Sequence, residues 1–170
     1  MPRLRHAKLF SSDNAVNKTQ LKDSLLQTID EAIEAGLEAA RVAQESAAHE
    51  DNQPENQYDT LSLEAAYLAH GQSERILALQ NDRIVIARWS PATFTKDSDV
   101  ASGALVGLAD QAGNKQWLWL ALIGGWKLNL EGKTVQVISA EAPLARQLTG
   151  LGLDDEISIA GTEWRVIEIS

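Results

Sequence analysis

The sequence predicts an α+β protein in which an antiparallel helical hairpin, with coiled-coil spacing, precedes a small antiparallel, β-rich domain. Residues 19–82 contain two long stretches whose apolar residues recur at helical spacing. Residues 83–170 contain short stretches in which apolar and polar residues alternate, with glycine-containing turns between them. Because the helical and strand patterns occupy separate parts of the chain, the sequence favours the α+β class.

We expect the first helix to run from about residue 19 to about residue 48. Its apolar or small residues alternate between spacings of three and four, which is typical of a coiled-coil seam. These residues become smaller along the helix, so a partner helix is expected to approach closely toward the C-terminal end. The predicted seam consists of Leu26, Ile29, Ile33, Gly36, Ala40, Ala43 and Ala47.

We expect the second helix at about residues 60–80, where an apolar stripe again has helical spacing. A side-chain oxygen of Asp59, Thr60 or Ser62 can accept a hydrogen bond from the free N–H groups of its first turn. Residues 49–59, here called the connecting segment, join the helices. Since this segment is short relative to the helices, they are expected to lie antiparallel. The stripe consists of Leu61, Ala65, Leu68, Ile76 and Leu79.

The pattern changes after Asp82, where stretches typical of strands begin. Residues 90–103 have the composition of a loop. A short helix is expected at residues 142–150, with Gly150 at its C-terminal end. A closing hairpin is expected around Ala160 and Gly161. The predicted strands lie in RIVIARW (83–89), GALVGLAD (103–110), KQWLWLALI (115–123), KTVQVIS (133–139) and the two halves of DEISIAGTEWRVIEIS (155–170).

Charge and composition divide the chain into three parts. Residues 1–18 are basic and lack sustained periodicity, so we expect a tail without regular structure that is dispensable for folding. Residues 19–82, the hairpin, contain three basic and thirteen acidic residues. This part repels a phosphate backbone and is attracted to basic surfaces, so we expect no sequence-specific DNA binding. Residues 83–170 form the predicted β-rich domain.

Several classes of protein are excluded or disfavoured by composition. The chain contains no cysteine, which excludes a disulfide framework and a cysteine-based metal site. No run of 18 apolar residues is present to form a transmembrane helix. The basic start lacks the apolar core of a secretory signal. We therefore expect a cytoplasmic monomer that does not associate with membranes.

The connecting segment, HEDNQPENQYD, is almost wholly polar and is suited to displaying carboxylates. It contains four acidic residues and four side-chain amides, but no lysine, arginine or glycine. The alternative is that Glu50, Asp51 and Glu55 are solvated loop acids. His49 lies beside two acids, but a single histidine without a second at helical spacing favours a solvated side chain over a metal ligand.

Two segments of the chain resemble the Gre family of bacterial transcript-cleavage factors. The run NQPENQY (52–58) aligns with the family's tip motif, which has the form D-x-x-E-N-A-E-Y. Near the C-terminus, VISAEAPLARQLTGLGLDDEI (137–157) is followed by Trp164 in TEWRVIEI, in the family's order and spacing. Asn52 stands where the family has its first tip aspartate, Gln57 precedes Tyr58 where the family has glutamate, and Asp154 occupies a position that is usually glycine.

The resemblance implies a partner and a site. Gre factors dock an FKBP-like C-terminal domain at the rim of the RNA polymerase secondary channel, and their hairpin enters the channel. Two tip acids then help to hold a second Mg²⁺ at the polymerase's own active centre, where it activates water to cleave backtracked RNA. No cofactor is bound stably by the factor itself. The resemblance places Asn52 at the position of the first family aspartate and Glu55 at the second acid. Asp51, one residue earlier, takes the Mg²⁺ role together with Glu55 if the turn is reshaped. The residues expected to bind polymerase are Tyr58, for which packing between the hairpin helices is the alternative, and Ser139, Pro143 and Leu144.

Three other functions are compatible with the sequence. The first is a regulator that occupies the channel without stimulating cleavage. The second is an FKBP-like prolyl isomerase, which requires an open aromatic pocket. The third is a hairpin adaptor for another basic surface. The candidates for lining such a pocket are Trp117, Trp119, Trp126 and Trp164, for which core packing is the alternative.

Overall fold

A computed structural model describes residues 17–48 and 60–170 of the chain. A helical pair is followed by a six-stranded mixed sheet and one short helix, which confirms the predicted fold class. Residues 1–16 and the connecting segment lie outside the described residues. The elements are α1 (Lys18–Ala48), α2 (Thr60–Arg88), β1 (Leu105–Asp110), β2 (Lys115–Ala121), β3 (Trp126–Leu130), β4 (Lys133–Ser139), α3 (Pro143–Leu148), β5 (Glu156–Ile159) and β6 (Thr162–Ile169).

Helices α1 and α2 form an antiparallel pair, here called the arm. Near the start of α1, Lys22 Nζ donates to the carbonyl oxygen of Ala87, at 2.9 Å. Further along, Arg83 Nη2 donates to Asp30 Oδ2 at 3.1 Å. The α1 partners ascend in sequence while the α2 partners descend, so the helices run in opposite directions. At 1.5 Å per residue, the 31 residues of α1 extend roughly 46 Å.

The sheet has the strand order β3-β4-β2-β1-β6-β5. Four of its pairings are antiparallel, but β2 and β4 are parallel, with Trp119 opposite Val137. Strand β3 was not predicted from the sequence; it reverses the chain between β2 and β4 and forms one edge of the sheet. The β-rich domain is therefore mixed where an antiparallel sheet was expected.

The two faces of the sheet bury different clusters. On β2, Leu118 and Leu120 point to one face, where they pack with Ala145 and Leu148 of α3. Trp119 points to the opposite face, which is covered by the end of the arm nearest the sheet, here called the base of the arm. The arm residues buried there are Leu21, Leu25, Ile29 and Ile86, each with 0% of its surface exposed.

The arm therefore packs on the sheet through a stripe that precedes and overlaps the predicted seam. Leu21, Leu25 and Ile29 are fully buried, whereas Leu26 and Ile33 are only partly buried. The predicted close approach of the helices is found at Gly36, where an added Cβ would lie 3.0 Å from Cγ1 of Ile76. Spacings of four from Leu21 place these side chains on the α1 face that meets both α2 and the sheet.

The prediction of a strand at residues 83–89 is wrong, because α2 continues to Arg88. The consecutive residues Ile84, Val85 and Ile86 favour a strand by local propensity. In the folded protein, Ile86 is buried against the sheet and Arg83 pairs with Asp30 of α1. Long-range packing therefore outweighs local propensity here. The proposed division of the chain at residue 83 stays a prediction.

The structure confirms the predicted hairpin, short helix and loop, and moves the start of α1 by one residue. The hairpin around Ala160 and Gly161 is confirmed, with φ angles of 52° and 82° that suit a tight two-residue turn. Helix α3 is found within residues 142–150, and no helix or strand occurs between Arg88 and Leu105. Lys18, assigned to the tail, is instead the first residue of α1.

Candidate partner-binding site

The connecting segment joins the ends of α1 and α2 that lie away from the sheet. Since the base of α1 is anchored up to Ile29, Ala48 at its end lies 19 residues further along, roughly 28 Å. The predicted site residues Asp51, Asn52, Glu55 and Tyr58 lie outside the described residues, as does His49. The Mg²⁺-holding role of Asp51 and Glu55 therefore stays a prediction.

The described part of α1 presents an acidic, solvated surface. Arg41 Nη2 donates to Glu38 Oε1 at 2.7 Å, and Arg41 also pairs with Glu45. The hydrogen bond from Arg41 lowers the pKa of the Glu38 carboxyl and raises that of Arg41. All three side chains are more than half exposed, so these pairs stabilise the helix only slightly. Most acidic residues of α1 are therefore exposed to solvent on the surface of the helix.

Toward the far end, apolar side chains of both helices are exposed. Leu68, predicted to lie in the α2 stripe, is 69% exposed, and so is Tyr67. Leu37 and Val42 of α1 are 52% and 48% exposed. Ile76 of α2 is only 8% exposed and packs against α1 at Gly36, whereas these four side chains remain in contact with water.

The other predicted contact residues meet at the turn between β4 and α3. Ser139 ends β4, and its hydroxyl oxygen accepts a hydrogen bond from the N–H of Glu141 at 3.2 Å. Pro143 is exposed at the first position of α3, where a missing N–H costs nothing. Leu144 is half-buried against the cluster beneath α3. The structure brings these three predicted residues together on one surface.

A neighbouring turn contains the departure noted at Asp154. Its φ angle is 69°, in the left-handed region that favours glycine. Its N–H donates to the carbonyl oxygen of Val166 at 2.9 Å, which ties the turn to β6. The glycine usual at this position in the Gre family therefore suits the backbone found here, and aspartate adopts it at some cost in strain.

The four tryptophans do not line a common pocket. Trp119 is fully buried beneath the arm, stacked on Trp89 with ring centroids 5.4 Å apart. Trp164 is buried on the opposite face of the sheet. Trp117 and Trp126 are partly buried against the cluster that contains Trp119. These four rings are thus used for packing on the two faces of the sheet and do not form a shared pocket of the kind expected for a prolyl isomerase.

The junction between arm and sheet, where Lys18 and Lys22 contact the segment after α2, was not predicted from the sequence. Lys22 Nζ donates to the carbonyl oxygens of Ala87 and Trp89, at 2.9 and 2.6 Å, and so caps the C-terminal end of α2. Lys18 Nζ donates to the carbonyl oxygen of Ala92 at 2.8 Å. The spacing of Leu21, Leu25 and Ile29 was the signal that could have located this junction, since it places one apolar stripe directly beside both lysines.

Within residues 17–48 and 60–170, no three histidine or acidic side chains cluster closely enough to hold a metal ion. None of the described helices is long and apolar enough to cross a membrane.

No protein-family model and no curated protein matches the chain. Solved structures do match along most of its length. GreA factor homolog 1 (Gfh1) of Thermus thermophilus is 16% identical, with 85% of this chain and 94% of that chain covered and a TM-score of 0.35. The matching structures are of Gre-like factors.

Two further Gfh1 structures give similar values. One, described as the transcription factor Gfh1, is 21% identical, with coverages of 87% and 92% and a TM-score of 0.35. Thermus aquaticus Gfh1 is 17% identical, with coverages of 84% and 92% and a TM-score of 0.34. These identities and TM-scores are too low to assign a role to any residue.

Proposed function

We propose that this protein is a Gre-like factor that binds bacterial RNA polymerase at its secondary channel and modulates elongation in the cytoplasm. The observation that carries the proposal is the arm. Helix α1 extends roughly 28 Å beyond Ile29, its last fully buried residue, and its far end leads into the NQPENQY run that resembles the Gre tip motif. A narrow acidic arm on a small sheet domain suits entry into a cationic channel.

In this proposal the chain supplies ligands and the polymerase supplies the chemistry. Carboxylates of Asp51 and Glu55 help to hold a second Mg²⁺ in the polymerase active centre. Mg²⁺ prefers hard oxygen ligands and is often held by one or two carboxylates together with phosphate oxygens. A second metal ion stabilises both the attacking water and the leaving oxygen during hydrolysis of the RNA backbone.

The test of the tip is RNA cleavage by a stalled, backtracked polymerase with and without this protein. Asp51→Asn combined with Glu55→Gln removes two charges while keeping side-chain size. We expect stimulated cleavage to fall by orders of magnitude, because the metal acts directly on the attacking water. Polymerase binding, measured in parallel, should change little. Equal cleavage by wild type and double variant would show that these are not the residues that hold the metal.

A regulator that occupies the channel without cleavage is the second candidate, and Asn52 favours it. An amide oxygen is neutral and therefore a weaker Mg²⁺ ligand than the aspartate usual at that position. For this candidate, the wild type binds polymerase and slows nucleotide addition without releasing short RNA. Asn52→Asp distinguishes the two: increased cleavage indicates a weakened catalytic tip, whereas unchanged absence of cleavage indicates an occupying regulator.

The turn between β4 and α3 is the proposed docking surface on the sheet domain. Pro143→Glu places a negative charge on that surface, and an acid in the first turn suits the helix dipole, so α3 should stay folded. We expect weaker polymerase binding by the full-length variant, measured by competition with labelled wild type. Gln116→Glu, an exposed change on β2, is the matched control. Equal weakening by both variants would indicate general charge repulsion and contradict docking through α3.

A further inference from the structure

A pocket of about 490 Å³ lies where the start of α1 meets the segment after α2. It is within the size range of small-molecule binding sites. Trp89, Pro91 and Phe94 supply apolar walls, and Thr19, Ser90 and Thr93 supply hydroxyl groups. Lys18 and Lys22 line the same pocket. The two lysines place positive charge beside aromatic rings in a chain whose net charge is −9.

The two ammonium groups donate hydrogen bonds only to main-chain oxygens. Lys18 donates one hydrogen bond, to Ala92, and Lys22 donates two, to Ala87 and Trp89. No carboxylate of the described residues forms an ion pair with either lysine. Since an ammonium group has three donors, both retain capacity for a further acceptor. The positive charge in this pocket is therefore not neutralised by an ion pair.

Another polar group at the pocket, the hydroxyl of Ser170, lacks a hydrogen-bond partner. Ser170 lines the pocket, and its hydroxyl oxygen is buried without a hydrogen bond in the described structure. Its backbone is fixed, because its N–H and carbonyl oxygen pair with Leu105 at 3.0 and 2.8 Å. A buried hydroxyl without a partner is costly in a folded protein, and rotation of the Ser170 side chain toward a polar ligand in the pocket would remove that cost.

We propose that this junction pocket binds a small phosphate-bearing molecule with a planar ring, of the nucleotide class. Lys18 and Lys22 would hold the phosphate through charge-assisted hydrogen bonds, and the walls formed by Trp89, Pro91 and Phe94 would contact the ring. The volume exceeds what inorganic phosphate alone would fill. The proposal goes beyond the proposed function and does not rest on it, since the ligand contacts only this chain.

The state of Lys18 is consistent with an anionic ligand. Burial lowers the pKa of Lys18 to about 8, although its Nζ also lies 4.3 Å from the centroid of the Phe94 ring. A bound phosphate would stabilise the ammonium form and raise this pKa again. The other titratable side chain in the pocket lining is that of Lys22. Affinity should therefore decrease as the pH rises above about 8.

The test is calorimetric titration of full-length protein with adenosine monophosphate, compared with adenosine and inorganic phosphate. We expect saturable binding of the nucleotide and at least tenfold weaker binding of both fragments. Lys18→Gln should weaken nucleotide binding at least tenfold. Lys127→Gln, an exposed change on β3, is the matched control and should leave the affinity unchanged. Ser90→Glu adds a carboxylate to the lining without removing a described contact, and should have the same effect as Lys18→Gln.

The melting temperature of each variant shows whether it is folded. If Lys18→Gln does not fold, the affinity of Ser90→Glu for the nucleotide tests the proposal instead. The absence of saturable nucleotide binding would overturn the proposal. So would equal binding of adenosine, since the lysines would then have no role, or equal binding of inorganic phosphate, since the ring would then have none. Unchanged affinity in both Lys18→Gln and Ser90→Glu would assign the binding to another part of the chain.

Discussion

At the scale of single residues, the two glycines of the arm differ in their surroundings. A Cβ on Gly36 would lie 3.0 Å from Ile76, whereas a Cβ on Gly71 would meet nothing within 4 Å. Replacing an exposed helical glycine by alanine gains roughly 0.5–1 kcal/mol through the unfolded state. We expect Gly71→Ala to raise the melting temperature by this mechanism.

Gly36→Ala should raise the melting temperature less than Gly71→Ala does, or lower it, because Ile76 must move to accept the methyl group. Thermal denaturation of the two variants side by side measures the difference. An equal increase for both would mean that the helices approach less closely at Gly36 than described. The sequence predicted this close approach from the small residues on the seam, of which Gly36 is one.

At the scale of secondary-structure elements, Arg83 and Asp30 join the two helices of the arm. The hydrogen bond from Arg83 lowers the pKa of the Asp30 carboxyl. A lowered folded-state pKa contributes stability above the ordinary carboxyl pKa of about 4, and that stability is lost as the pH falls through the folded value. We expect Asp30→Asn to lower the melting temperature at pH 7 and to have no effect near pH 2.

Glu34→Gln is the control for the loss of one negative charge on α1. Its side chain is exposed and forms no ion pair within the described residues, so its effect at pH 7 should be smaller. If Asp30→Asn lowers the melting temperature equally at pH 7 and near pH 2, packing is responsible for the loss and not the charge pair.

Element boundaries could be predicted only where the local pattern was unambiguous. The ends of α1 and the β5–β6 hairpin follow from periodicity and turn chemistry. The last turns of α2 could not be predicted, because Ile84, Val85 and Ile86 fit a strand until the burial of Ile86 against another element is known. Strand β3 was missed because its five residues follow two glycines and resemble an extension of the turn. Of the candidate site, the sequence singled out the residues of the β4–α3 turn, whose binding role stays a prediction, and it did not single out the lysines at the junction.

At the scale of the whole molecule, the arm and sheet share one core. Leu25 is fully buried between α1 and the sheet face that contains Trp119. We expect Leu25→Ala to cost roughly 2–5 kcal/mol of unfolding free energy, as for other large-to-small changes in a core. Leu68→Ala is the matched control, since Leu68 is 69% exposed and should change stability by about 0.5 kcal/mol or less. Denaturant unfolding measures both, and similar values would contradict the shared core.

The shared core also determines how docking should be tested. A fragment that begins at residue 83 lacks Leu21, Leu25 and Ile29, which cover one face of the sheet. That face would expose Trp119 and its neighbours to water, and such fragments tend to associate. Point variants of the full chain therefore separate docking from folding better than an isolated domain does. The parallel pairing of β2 with β4 could not be predicted from the sequence, since the local pattern of residues contains no information on strand order.

The anchorage of α1 gives the molecule the mechanics of a lever. The three fully buried residues from Leu21 to Ile29 span roughly 12 Å along the helix, and the part from Ile29 to Ala48, which packs on α2, extends roughly 28 Å further. A sideways load at the far end therefore acts on the anchoring residues with a magnification of about two. The fulcrum lies near Ile29, and Leu21 at the short end experiences the opposing force, beside the Lys18 and Lys22 contacts that hold the helix start to the segment after α2.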